Sequence, residues 1–503
     1  MSEELKKVRS VLAEAQNYHH ACAVLNFDQE TICPTKGVQE QGEVNAYLSN
    51  QAFKLLKDPA FEAAAEAAYA QRAEFDEVDR TLVSDLHKRY LHTKNVSPEL
   101  DHEFSLIYNK AFVDWLGARE ASDYSMFEEA LTGVRDVCVK EVGLRAEDAD
   151  FPKAADLYDN LLDDYETGIT TADLDMIFGR CKERLLPLLK KIVASPKKIR
   201  TDFLSVRASD AQQREMADWL LHVLDYDFSR GGWTTTEHPF TSTLGKNDIR
   251  VTTHFYPDMF YASMYSIIHE CGHALFDQLT PIRHHESYIG DCKTMGMHES
   301  VSRFYENRIG RSEAFIHLIY PKVCEVFPQV MEGVSERELY EAMNLVEPSL
   351  IRTEADELTY TIHIIIRYEI EKEFIAGRVS AAELPALWRA KYKEYLGVEP
   401  QTDREGILQD VHWTFGFGYF PTYAIGNFYN AMYYNRLVKE LDLDSIVAAG
   451  DFKTLNAWMS ENVFAKADLQ TPKEWIKGIT GRSLTPDDFL DYLEEKYSRL
   501  YGL

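Results

Sequence analysis

Apolar residues recur at spacings of three and four through most of the 503-residue chain, the pattern of amphipathic helices. It is clear in 55–72, which is rich in Ala, Glu and Leu, and in 314–327, 336–345 and 380–396. Helix starts carry polar caps: Thr171 stands ahead of a run from Leu174, and Ser380 ahead of Ala381-Ala382-Glu383. One segment breaks the helical period. Asp248-Ile249-Arg250-Val251-Thr252-Thr253 alternates polar and apolar residues, ends in β-branched ones, and follows the turn-forming Gly245-Lys246-Asn247-Asp248. That predicts a short β-hairpin or edge strand. There is no internal repeat and no Gly/Ser- or Pro-rich linker, so residues 1–503 read as a single, mainly α unit.

Composition is that of an ordinary globular protein, with 45% apolar and 27% charged residues. Charge narrows the partners. With 82 acidic and 54 basic residues the net charge is −28, which repels duplex nucleic acid and anionic membrane surfaces. No apolar run is long enough to span a bilayer; the most apolar short stretch, Ile362 to Ile366, contains His363 and ends at Arg367. The seven cysteines form no C-x-x-C pair and are odd in number, and the N-terminal MSEELKKVRS lacks an apolar signal core. Free thiols in a cytoplasmic protein are therefore expected.

The chemistry concentrates in His269-Glu270-Cys271-Gly272-His273, an H-E-x-x-H motif. On a helix, positions i and i+4 share a face one turn apart, so both imidazoles can reach one ion while Glu270 stands in the adjoining sector. Zinc takes such nitrogen ligands and keeps one position for water at catalytic sites. The flanking Ile267, Ile268, Ala274 and Leu275 predict a buried helix, where paired imidazoles and a carboxylate need an ion or firm partners. Cys271 points away from His269 and reads as a small core residue. A second helix beginning near Met295 offers His298 or Glu299 as third ligand, and only one of these neighbours can face the ion. His284 and His285 lie in a loop-like stretch and read as surface residues.

The chain resembles the carboxypeptidase Taq family of metallocarboxypeptidases through six ordered motifs. They are His238-Pro239-Phe240, Asp248-Ile249-Arg250-Val251-Thr252, His269 to His273, His298-Glu299-Ser300, Ile351-Arg352-Thr353-Glu354-Ala355-Asp356, and the segment from Gly406 through Gln409-Asp410-Val411-His412-Trp413. Phe27 to Thr31 and Glu495 to Tyr501 also look familial. One departure stands after the H-E-S element, where Val301 replaces the family's usual Gln or Gly.

The resemblance implies an almost wholly helical bundle, two lobes around a deep cleft like that of neurolysin, and a homodimer. It implies zinc, with cobalt as a possible substitute, held by His269, His273 and Glu299. The implied activity is release of single residues from peptides with a free C-terminus, with broad specificity. Glu270 is then the general base for the attacking water. Arg352 is expected to hold the terminal carboxylate with its planar fork, against the alternative of an ion pair with Glu354 or Asp356. His412 and Tyr423 are the candidate oxyanion donors, with Tyr419 competing for the role. His238 is expected in the cleft wall. The 248–252 strand is expected to take substrate backbone along an exposed edge, with Arg250 as a second sensor of the terminus. An oligopeptidase or dipeptidyl carboxypeptidase, or a catalytically silent metal-binding scaffold, are the competing readings.

Overall fold

Helices start where the sequence supplies caps. In the computed structural model, which describes residues 2–152, 154–290 and 294–503, Thr170 rather than Thr171 caps the helix Thr171–Ala194. Its hydroxyl accepts from the Asp173 amide, and the Asp173 carboxylate accepts from the Thr170 amide in return. The helical run expected over 55–72 is split. One helix, Val38–Leu56, ends there, and a new one, Pro59–Ala70, starts at Pro59, with Asp58 accepting from the Ala60 amide at 2.7 Å. Proline excludes the helical conformation from the residue before it, which forces the break.

Three short strands interrupt the helices: β1 (Trp233–Thr235), β2 (Thr241–Gly245) and β3 (Asp248–Thr253). β2 and β3 form the expected hairpin over Lys246 and Asn247. The edge assignment of 248–253 is wrong, because β3 is the central strand. β1 runs parallel to it, Thr234 opposite Thr252, and β2 antiparallel, Ser242 opposite Arg250. Burial explains the order: Ile249, Val251, Thr252 and Thr253 are all solvent-free, and a strand so covered belongs inside a sheet.

One large apolar core joins the helix Phe260–Leu279 to most of the later helices. Ile267, Ile268, Ala274, Leu275 and Phe276 are at most 1% exposed. At roughly 1.5–3 kcal/mol for each large side chain, this face fixes the helix firmly enough to carry buried polar groups on the other. The first helices keep smaller cores of their own, such as Val8 with Phe61, Ala64 and Ala65. They cover the sheet through Phe27 against Phe240 (5.8 Å between rings), the Thr236 hydroxyl on the Glu30 carbonyl (2.8 Å), and His20 on the Leu244 carbonyl. Among the described residues no helix is long and apolar enough to cross a membrane, and the six described cysteines are free. Cys292 lies outside the described residues.

Candidate metal centre and active site

Two helices meet at the H-E-x-x-H motif, and a glycine lets them meet closely. A Cβ on Gly272 would lie 2.7 Å from the Ser302 Cα, so only glycine lets the helix Phe260–Leu279 approach the helix Met295–Arg303 there. A third helix, Pro421–Glu440, closes on the second through Gly426, where a Cβ would come within 3.2 Å of the Glu299 Cγ. At this junction ligand atoms of His269, His273 and Glu299 all lie within 4.8 Å of one another. Glu299 Oε2 is 3.7 Å from His269 Nε2 and 3.5 Å from His273 Nε2. Tetrahedral bonds of about 2.0–2.2 Å separate neighbouring ligand atoms by roughly 3.4 Å, so the donor set fits a small divalent ion. Burial by itself would raise the Glu299 carboxyl; the neighbouring His269 and His273 imidazoles, and then Arg303, instead bring it down to about 2.

Both imidazoles are oriented from behind. His269 Nδ1 donates to Glu306 Oε2 at 2.8 Å, which leaves Nε2 for the centre. Glu306 stands seven residues after Glu299 on a wide π-turn and also receives Arg303 Nη1 at 2.9 Å. His298 contributes no atom to the group of His269, His273 and Glu299. Its Nδ1 meets His273 Nδ1 at 2.5 Å, and its Nε2 meets Asp277 Oδ1 at 3.1 Å. Cys271 is fully buried in the core, as expected. His284, expected at the surface, is buried against Asp468 at 2.8 Å. Its imidazole partners one oxygen of a carboxylate that lies in the interior.

Glu270 is 8% exposed and faces β2, where the Thr241 hydroxyl donates to its Oε2 at 2.8 Å. Thr243, the next residue on that strand face, donates to Asp277. Glu270 and Asp277 are seven apart on their helix, so two threonines clip the strand to one helix face.

Arg352 is 5% exposed, and its partner is neither Glu354 nor Asp356. Asp356 instead caps the helix Glu357–Ile375, accepting from the Leu358 and Thr359 amides at 3.0 Å. Arg352 Nη2 donates to Asp410 at 2.8 Å and Nη1 to the Tyr360 hydroxyl at 3.0 Å. Arg367 grips the same Asp410 at 2.6 Å and 2.9 Å. Although burial opposes ionisation of Asp410, the two guanidinium groups hold its carboxyl far below the usual range. Tyr360 connects this cluster to the metal centre: its ring lies under Arg303 at 3.8 Å, and Arg303 Nε is 3.6 Å from Glu299.

His412 sits beside the cluster. Chiefly burial, and then the nearby Arg352 and Arg367 charges, push it down to about 4 against the pull of Asp410. Its Nε2 is 3.1 Å from the Tyr423 hydroxyl, and its ring stacks on Tyr419 at 5.4 Å. Tyr423 packs over Arg352 at 4.9 Å. The structure thus joins Arg352, His412, Tyr419 and Tyr423. Arg250 is held by its own strand neighbour Asp248 in a two-pronged pair at 2.8 Å and lies over Phe27. His238 is exposed in the loop between β1 and β2 and makes no side-chain hydrogen bond among the described residues.

The family model for the carboxypeptidase Taq (M32) metallopeptidases matches residues 7–497. The chain belongs to that family. It is 36% identical to carboxypeptidase 1 of Bacillus subtilis, with 99% of each chain covered, and 35% identical to thermostable carboxypeptidase 1 of Thermus thermophilus, with 95% of each covered. Among solved structures, an M32 carboxypeptidase from Deinococcus radiodurans superposes with a TM-score of 0.95 at 31% identity over the full length of both chains. Trypanosoma cruzi metallocarboxypeptidase 1 superposes at 0.93 and 29% identity, covering 98% of this chain and 99% of that one. The chain is accordingly a metallocarboxypeptidase, built for a divalent metal.

Sequence reasoning missed several residues of this M32 site. Glu306 and Asp277 repeat the faces of Glu299 and Glu270 at i+7, a signal that helical geometry could have supplied. Arg367 and Tyr360 sit in a run that reads only as an apolar helix; Arg367 meets Asp410 across 43 residues, and Tyr360 joins the cluster through Arg352. Val301 is fully buried among apolar neighbours, so a polar side chain there would lack solvent.

Proposed function

We propose that this M32 enzyme is a zinc carboxypeptidase that removes single residues from the free C-terminus of peptides with little side-chain preference. The observation that carries the reading is the charge balance around Asp410. Two buried guanidinium groups share one carboxylate, and burial depresses the proton affinity of both neighbouring histidines, His363 and His412. One positive charge is left without a partner, which suits a single terminal carboxylate.

The ligand chemistry of His269, His273 and Glu299 suits zinc, and a divalent ion held there would supply Lewis acidity and make the attacking water more acidic. Glu270 takes the proton of that water, with Thr241 holding its carboxylate in place, and delivers it to the leaving amine. Tyr423, poised by His412, donates to the oxygen that gains charge in the tetrahedral state; Tyr419 backs the imidazole. Arg352 retains two of its five N–H donors for the substrate after bonding Asp410 and Tyr360. Arg250, tied to Asp248, contributes to the sheet wall rather than to the terminal grip. Because β3 is central, substrate backbone would lie along an outer strand of the sheet, with His238 at the loop joining β1 to β2.

The proposal extends to a homodimer in the cytoplasm. The helix Pro98–Ala121 exposes Leu106, Phe112, Val113 and Leu116 along one side, near the half-exposed Met126. Such a stripe favours burial against a second copy. Leu116→Lys should convert the dimer to monomer in light scattering; a wild-type monomer would refute it.

The functional test is a timed digest of unblocked peptides with zinc-loaded protein, with and without chelator, read by mass spectrometry. Successive single-residue losses from the C-terminus are expected, abolished by chelation. Dipeptide release or internal cleavage would replace the reading with a dipeptidyl carboxypeptidase or an oligopeptidase; no cleavage would leave a silent metal-binding scaffold.

A further inference from the structure

His298 is half-buried beside the centre and contributes no atom to it, and the reading above gives it no task. The side chains around it form a line. The Thr243 hydroxyl on β2 donates to Asp277 Oδ2. Asp277 Oδ1 faces His298 Nε2 at 3.1 Å. His298 Nδ1 faces His273 Nδ1 at 2.5 Å, and His273 Nε2 faces Glu299 across the centre at 3.5 Å. The His298 ring is held by Phe276 at 4.7 Å between centroids.

The proton count along this line has one solution that leaves a lone pair for a metal. Ionised Asp277 can only accept, so His298 carries its proton on Nε2. His298 Nδ1 is then an acceptor. His273 must donate from Nδ1, which leaves its Nε2 unprotonated and directed at the centre. A second proton on His298 would set its Nδ1–H against His273 and move the His273 proton to Nε2, and a cation in the centre opposes that. His269 reaches the same state directly, through Glu306. The two ligands thus differ in what stands behind them: a carboxylate for one, an imidazole and then a carboxylate for the other.

We infer that Asp277 and His298 form a positioning relay that fixes the tautomer of His273 and thereby sets the affinity of the centre for its ion. Thr243 anchors the relay to the strand whose Thr241 holds Glu270, so one strand orients both a metal ligand and the base. This inference rests on the zinc reading of His269, His273 and Glu299.

The test uses full-length protein and zinc itself, with the dissociation constant measured by competition against a chromophoric chelator and apo-protein melts run alongside. His298→Phe keeps an aromatic ring against Phe276 but cannot accept the hydrogen bond from His273; its zinc affinity should fall by about 10–100-fold, with apo-protein melting unchanged. Asp277→Leu should fall by the same factor. Asp277→Asn is the discriminating variant. Its amide oxygen can still accept from His298 while its NH₂ donates to the Thr243 hydroxyl, so affinity should stay within about threefold of wild type, short of that loss. A purely steric role for residue 277 would not separate Asn from Leu by hydrogen bonding. The relay is overturned if His298→Phe binds zinc like wild type, or if Asn and Leu at 277 weaken it equally. A failure of the underlying reading looks different: wild type would take up no zinc, or Glu299→Ala would retain it.

Discussion

Arg352 gives the sharpest test of exopeptidase specificity. Its environment holds two guanidinium groups and one carboxylate, with Asp410 shared at 2.8 Å and 2.6 Å. Replacing Arg352 with Ala removes the unpaired charge but leaves Asp410 gripped by Arg367, so the variant should fold. At an effective dielectric of about 20, a charge pair at ~4 Å is worth roughly 4 kcal/mol. Truncating one partner of a buried, charge-assisted pair costs about 2–5 kcal/mol. The expected loss in kcat/KM on a free-acid peptide is therefore roughly 30- to several-thousand-fold. Amidating the peptide removes the other partner of the same contact and should cost a similar factor. The assay measures release of the terminal group from acid and amide peptides by wild type and by Arg352→Ala. Both changes together should cost little more than either alone, because one contact cannot be lost twice. Additive losses, or equal cleavage of acid and amide by wild type, would refute the assignment.

Three further outcomes are expected. Glu270→Gln can still accept from Thr241 but cannot take a proton, so kcat should fall about 10²–10⁴-fold with metal content unchanged; near-normal turnover would remove Glu270 from the base role. Glu299→Ala should lose the ion and all activity while circular dichroism stays helical, and bound metal at wild-type level would refute the ligand set. The third outcome concerns acid. The folded value of His412, about 4, lies below the unfolded value near 6.5, so the unfolded chain binds the extra proton between them. This contribution to stability is full above pH 6.5 and is lost as pH falls toward 4, at about 1.4 kcal/mol per pH unit and roughly 3 kcal/mol in all. Urea melts of metal-free wild type and His412→Asn should therefore converge by about that amount between pH 7 and pH 4; a pH-independent gap would show that His412 is not held neutral.

The pairing of His269 with His273 was legible in the sequence because it depends on spacing within one helix, whereas spacing left Glu299 and His298 open and only the family resemblance favoured Glu299, the residue the structure groups with the two imidazoles. Helical content was legible for the same reason, since periodicity and caps are local. The position of β3 was not: alternation identifies a strand, but whether its edges are free depends on β1, whose pairing is parallel and joins residues 18 apart, Thr234 with Thr252. Asp410 as the partner of Arg352 was not legible for a similar reason. Glu354 and Asp356 are near in sequence, yet Asp356 satisfies a helix start and Asp410 arrives 58 residues later.

The glycine crossings carry a thermodynamic consequence. At Gly272 and Gly426 the helices approach with no room for a Cβ on the glycine, so the separation of the candidate metal-binding atoms is set largely by main chain and apolar packing. Assembly of the centre is thus completed by folding itself. In zinc fingers the ion's binding free energy is spent on ordering the chain; here that coupling should be weak. Stripping and reloading should proceed on a standing framework, reversibly and without a refolding lag, and exchange of one divalent ion for another should change turnover far more than melting temperature.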